Sequence, residues 1–164
     1  MQEEVMPRLR WLVAVGLVLG ATGLVGQTPA AAPPAAIPAG ADGAKIFAIT
    51  CAACHLANGV GTEGKIPPLA GSEWVNGSEE KLIRIVLQGL TGDVEVQGEV
   101  FNGAMPTWGG AFSDEQIASV LSFVRRSWGN KAPPVAAATV AKVRAATATR
   151  KLPWTVKELL RPGN

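Results

Sequence analysis

Apolar positions fall at near-helical spacing in three stretches of the chain, each bounded by its own start and stop signals. Ser78 can cap a helix over Glu79 to Gln88, ended by Gly89, with Leu82, Ile83, Val86 and Leu87 on the inward stripe and Ile85 widening it. Ser113-Asp114-Glu115-Gln116 is a capping-box sequence, with the hydroxyl at the cap and Gln116 at the third helical position. It predicts a helix to about Trp128, with Ile117, Val120, Leu121 and Val124 facing inward and Gly129 stopping it. Asp42 to Asn58, with Ala44, Ile46, Phe47 and Ile49, suits a third, short helix. Residues 59–77 are rich in Gly and Pro and predict a loop. Residues 91–111 alternate weakly through Val94, Val96 and Val100 between glycines, which predicts a loop or a short hairpin. No internal repeat is visible. The pattern is that of an all-α centre with long loops.

The two ends differ from this centre. Arg8 and Arg10 precede an uncharged run from Trp11 to Gly26, followed by small residues, with Thr28-Pro29-Ala30 as a tolerable cleavage site. Positive region, apolar region and small residues together read as a secretory signal over residues 1–30. The apolar run is short of the roughly 20 residues a membrane span needs, though an uncleaved N-terminal anchor is the alternative. Either reading places the domain outside the cytoplasm, in the periplasm or its equivalent. Residues 31–40 are Ala/Pro-rich and uncharged, an extended linker and not a packed core. Residues 41–130 form the expected domain, and residues 131–164 a basic C-terminal extension. Within that extension Val135–Thr149 is compatible with a helix, and Leu152-Pro153-Trp154 lies beyond it.

Charge sharpens the division. Residues 40–130 hold six Lys/Arg against ten Asp/Glu, whereas residues 131–164 hold seven Lys/Arg against the single Glu158. The basic tail reads either as an ordinary solvated helix or as a dock for an acidic partner or an anionic membrane face. Membrane association through residues 11–26 or through the tail is open, and no nucleic-acid partner is expected. With 48% hydrophobic and 17% charged residues the chain is globular in type. A centre of about ninety residues with long loops is nevertheless marginal, and an apolar cofactor bound within it would supply the missing packing.

The cysteines identify that cofactor. Cys51 and Cys54 are the only two, too close in sequence for a useful disulfide staple. Cys51-Ala52-Ala53-Cys54-His55 fits the Cys-x-x-Cys-His pattern of covalent haem attachment. On a helix, positions three and four apart share a face, so both sulfurs and the imidazole can address one flat macrocycle, with small alanines letting its edge approach. The sulfurs would add to haem vinyl groups as thioethers, and His55 would bind iron. A thioredoxin-like redox pair expects a βαβ context that is missing from the pattern. A structural zinc site needs four Cys or His ligands, and Cys51, Cys54 and His55 are all the chain has.

The second axial ligand follows by elimination. With the signal removed Met105 is the only methionine, in a Gly/Pro-flanked loop that can fold back over the other haem face. Its thioether is a soft donor, and Met/His ligation raises the reduction potential; the competing reading is a gap-filling core methionine.

These residues together resemble class I c-type cytochromes: Cys51-Ala52-Ala53-Cys54-His55, the Pro67-Pro68-Leu69-Ala70-Gly71 loop, the Met105-Pro106 loop, and an amphipathic last helix carrying Phe123. The resemblance covers roughly residues 40–130. It implies a cytochrome c-like helical fold around one haem c, and a proline carbonyl, that of Pro67 or of Pro68, accepting a hydrogen bond from His55. It implies a crossing of first and last helices through Gly43 and Phe47 against Phe123 and Val124. Trp74 and Trp108 either line the haem or bond a propionate, or are plain core. The stretch from Trp74 to Lys81 and the run Arg125 to Asn130 resemble cytochromes found with periplasmic dehydrogenases. The implied role is one-electron transfer, not catalysis, between a dehydrogenase donor and an oxidase or another cytochrome as acceptor. A haem-based small-ligand sensor and a fixed electron-transfer subunit of a dehydrogenase complex are the alternatives.

Overall fold

A computed structural model describes residues 42–162, and all of them fall within one compact unit. The export segment and the linker lie outside the described residues. Gly43–Ile46 (α1) runs through a π-helical turn, Phe47–Cys51, into Ala52–His55 (α2). Asp42 starts this stretch by accepting from the Ala44 amide at 3.0 Å. Then come Glu73–Asn76 (α3), Glu79–Gln88 (α4), the hairpin Val94–Val96 (β1) and Glu99–Phe101 (β2), Asp114–Val124 (α5), Ala137–Ala146 (α6) and Val156–Leu159 (α7).

Side-chain caps set most of these starts. Ser78 accepts from the Lys81 amide to open α4, and Ser113 with Gln116 forms both halves of a capping box on α5. The hairpin pairs Val94 with Phe101 and Val96 with Glu99 around Gln97-Gly98. Both turn residues have positive φ, 55° and 81°, which suits the right-handed twist of a two-residue turn. Three boundaries differ from the sequence expectation. The loop of residues 59–77 contains α3, a single turn opened by Ser72 accepting from Trp74 at 3.2 Å. Helix α5 ends at Val124 and not near Trp128, because the Arg126 and Ser127 amides bond three residues back, to Phe123 and Val124, while the Arg125 guanidinium bonds the carbonyls of Val75, Gly77 and Pro133. A last helical turn, α7, follows Trp154 under a second capping box of Thr155 and Glu158.

Helix α1 crosses α5 closely. A Cβ on Gly43 would lie 2.2 Å from the Ser119 carbonyl oxygen, so only glycine permits the approach. Phe47 packs beside the crossing, 5.5 Å from the Phe123 ring and 4.9 Å from Trp128. The described residues bury two apolar clusters. The larger joins Ile46, Ile83, Ile117 and Leu121 with Val140 and Val143 of α6; the smaller joins Leu90, Val94, Val96 and Phe101 with Trp154 and Leu159. The C-terminal segment therefore contributes to both.

Candidate functional site

The π-helical turn and α2 carry Cys51, Cys54 and His55 to the wall of a single cleft, where Pro67, Trp74, Met105 and Trp108 also stand. Its remaining walls are largely aliphatic, including Leu82, Val86, Leu90, Val120 and Leu121. The cleft holds about 1230 Å³ of space, part of it open to solvent. Both cysteines are free, Cys51 half-buried and Cys54 exposed. Burial, with a smaller push from the neighbouring Cys54, raises the Cys51 thiol to about 11. A redox-active Cys-x-x-Cys has a depressed thiol pKa, so this raised value argues against thioredoxin-like chemistry.

Nδ1–H of His55 donates to the Pro67 carbonyl at 3.2 Å. Burial lowers the His55 pKa, partly opposed by that hydrogen bond, which favours the neutral imidazole a metal ligand requires. With Nδ1 occupied as donor, Nε2 is left as the lone-pair nitrogen. The bond also fixes the ring plane. Of the two prolines considered, Pro67 is the one whose carbonyl makes this contact.

The Pro67 loop is itself tied down. Leu69 and Ala70 amides donate to the Gly59 carbonyl at 2.7 and 3.0 Å, and the Gly61 amide donates to His55 at 3.1 Å. Asn130 completes the anchoring. Its amide donates to Leu69 and Val124 carbonyls at 3.0 and 2.9 Å, while its oxygen accepts from Gly71 and Asn76. Asn130 is buried and was not singled out from sequence, since its partners Leu69, Gly71 and Asn76 lie far away along the chain.

Met105 reaches the cleft on a loop hung from the end of α4. The Trp108 and Gly109 amides donate to the carbonyls of Val86 and Leu87 at 3.0 Å each, and the Thr107 hydroxyl donates to Leu87 at 2.6 Å. These are carbonyls a helix end leaves without intrahelical partners, so the loop docks where hydrogen-bonding capacity already exists. Met105 and Leu90 exchange both backbone hydrogen bonds, at 2.9 and 3.1 Å. Gly89, with φ of 85°, lets the chain turn here; a Cβ on it would lie 2.4 Å from the Met105 carbonyl oxygen.

The two tryptophans separate. Trp74 lines the cleft, but its indole N–H donates to the Glu95 carbonyl at 2.9 Å and is thereby committed to the hairpin. Trp108 stacks on Phe112, with centroids 5.5 Å apart and planes 20° from parallel. Among the described residues no three His, Cys, Asp or Glu side chains converge, so zinc lacks a ligand set. Two thiols, a neutral imidazole, a thioether and aliphatic walls do fit a haem c with its apolar macrocycle.

Comparison with known proteins agrees. Residues 38–124 match the family model described as cytochrome C oxidase, cbb3-type, subunit III. Cytochrome c-552 of Thermus thermophilus is 43% identical over 114 residues, spanning 64% of this chain and 86% of that protein. Cytochrome c6 of a Picosynechococcus strain is 32% identical over 127 residues, 71% of this chain and 92% of that protein. The gluconate 2-dehydrogenase cytochrome c subunit of Pantoea cypripedii is 38% identical over 110 residues, which span only 24% of that longer subunit. A Cys-x-x-Cys-His helix and a methionine loop lining one apolar cleft, in a chain of this ancestry, have one consistent meaning: the protein belongs to the cytochrome c family and carries electrons on haem c.

Proposed function

We propose that Cys51 and Cys54 hold the haem through thioether bonds, that His55 and Met105 are its two axial ligands, and that Pro67 orients the His55 ring. When bound, the haem iron supplies a reversible one-electron couple. His55 enters as a neutral imidazole, with its ring plane fixed by the Pro67 carbonyl. Met105 offers a soft thioether, whose pairing with histidine raises the potential. The aliphatic walls, among them Leu82, Val86, Val120 and Leu121, would make the surroundings of the haem apolar and disfavour the more highly charged oxidised state. Held by both side chains, the iron would have no position left for a substrate, which suits outer-sphere transfer. The single observation that carries this reading is the meeting of Cys51, Cys54, His55 and Met105 on one cleft.

Residues 1–30 would export the chain, placing it in the periplasm, with residues 31–40 as a tether. Among the described residues no helix is long and apolar enough to cross a membrane. The donor would be a dehydrogenase and the acceptor an oxidase or another cytochrome, met transiently at a surface whose charges steer docking. A second reading, a fixed electron-transfer subunit, is favoured by the likeness to dehydrogenase cytochrome subunits. Co-purification with a larger enzyme at stoichiometric ratio separates the two.

The test is extraction of the purified protein with acidified acetone. Colour retained by the polypeptide is expected, and colour lost to the solvent would refute the thioether bonds. Replacing Met105 with Ala should lower the reduction potential on the order of a hundred millivolts and open the iron to carbon monoxide. An unchanged potential would remove Met105 from the axial position.

A further inference from the structure

We propose that Trp154 is a positioning residue for Met105, and that the C-terminal segment holds the methionine loop at both ends. This rests on the axial role proposed for Met105. The extended residues Gly89, Leu90 and Thr91 form the middle of a three-rung arrangement. On one side Leu90 exchanges both backbone hydrogen bonds with Met105. On the other, Trp154 pairs in parallel, its amide donating to Gly89 at 3.0 Å and its carbonyl accepting from Thr91 at 2.8 Å. The rung that carries Met105 is thus backed by Trp154, with a single residue, Leu90, between them.

The Trp154 side chain is built in. It is 6% exposed, and its indole N–H donates to Gln88 at 3.1 Å. Arg150 lies over the ring at 3.7 Å and Arg84 at 5.6 Å, and Nε and Nη1 of Arg84 have no hydrogen-bond partner among the described residues. The indole ring thus carries cation contacts from both arginines, Arg150 the nearer. Met105 and Trp154 pack in the same apolar cluster. At the far end of the loop Arg144 of α6 donates to the carbonyls of Gly109 and Phe112, the latter at 2.9 Å, and to Asp114 at 2.7 Å. Residues from 105 to 112 are consequently held at their start by Trp154 through Leu90 and at their end by Arg144.

A loop so held stays in place, and its methionine stays available to the iron. A loop released at either end opens locally, and local opening governs how often an external ligand can compete. In the haem-loaded protein, Trp154→Ala should increase carbon monoxide binding by the reduced form about tenfold at neutral pH. It should weaken the thioether-to-iron absorption band of the oxidised form in proportion. Trp154→Phe, which keeps a ring under the guanidinium groups, should restore most of both. Asp42→Ala, which removes the cap of α1 and no contact of the loop, serves as the control for simple loss of stability, and should leave both signals at their wild-type level.

Wild-type carbon monoxide binding and an intact band in Trp154→Ala would overturn the proposal, as would an equal effect in Asp42→Ala. Should Trp154→Ala fail to fold, Arg144→Gln decides: a several-fold rise in binding supports the inference, and no rise overturns it. Met105→Ala distinguishes the premise. If that variant also keeps the band and excludes carbon monoxide, the axial assignment of Met105 has failed; if it binds freely while Trp154→Ala does not, only the positioning role has failed.

Discussion

At the scale of single residues, the site depends on a few positions where one atom more or less would be decisive. Gly89 is the clearest. It combines a φ of 85° with backbone contact to the Met105 carbonyl, so a methyl group there is opposed both by its own conformation and by the neighbouring strand. Gly89→Ala should destabilise the fold by about 1–3 kcal/mol, the range for a residue held in a strained backbone region. Part of the strain should fall on the methionine loop, so the thioether band should weaken as the melting temperature drops. A lower melting temperature with an undisturbed band would mean that strain is absorbed on the α4 side. The chemistry-bearing residues Cys51, Cys54 and His55 were legible in the sequence, because their relation is local: helical spacing alone brings them to one face. Met105, singled out by elimination, does line the same cleft as Cys51, Cys54 and His55. The Pro67 contact was not implied by the residues themselves, only by resemblance, since a backbone carbonyl leaves no mark in the pattern. Asn130, Arg144 and Trp154 went unrecognised because their partners Leu69, Phe112 and Gln88 lie 61, 32 and 66 residues away, across loops that have no periodicity.

At the scale of elements, what could be read was what caps and stripes encode. Helices α4 and α5 begin where Ser78 and Ser113 announce them, and their buried faces are those the spacing requires. The one-turn helices α3 and α7 could not be read, being too short for any period to show. Helix α7 has a built-in acid sensitivity. The Thr155 amide, its hydroxyl and Arg150 all favour the ionised carboxylate of Glu158 and lower its pKa from an ordinary value of 4.5. A depressed carboxylate contributes stability in full above its unfolded value and loses it as pH falls through the folded one. Residues 150–159 should therefore loosen below about pH 4.5, ahead of α4. Hydrogen exchange followed by mass spectrometry on the haem-loaded protein should show faster exchange there first. Uniform acceleration across all helices would contradict this order. Glu158→Gln should abolish the pH dependence of that segment while leaving its exchange raised at neutral pH.

On the scale of the whole molecule, the sequence divides into an acidic centre and a basic tail, and the division suggested a domain ending near residue 130 with an appendage beyond it. The structure distributes the tail differently. Its charges lie on the surface or bridge inward, as Arg144 does to Asp114, while its apolar residues enter the common core. Val140 and Leu159 are fully buried at 0% exposure and Val143 at 3%, so the segment supplies core positions.

 A small centre with long loops has little apolar packing to spare, and these side chains pack against α4 and α5. Removing residues 131–164 would leave Ile83, Ile117 and Leu121 facing solvent on one side and would strip the outer rung from Leu90. A truncation after Asn130 should then lower the melting temperature by at least about 10 °C, since losing several buried aliphatic side chains costs well over 3 kcal/mol in total. It should also weaken the thioether band in whatever protein still folds. A truncated protein with wild-type melting and an unaltered spectrum would restore the tail to the role its charge alone implied, a surface for docking and not a part of the fold.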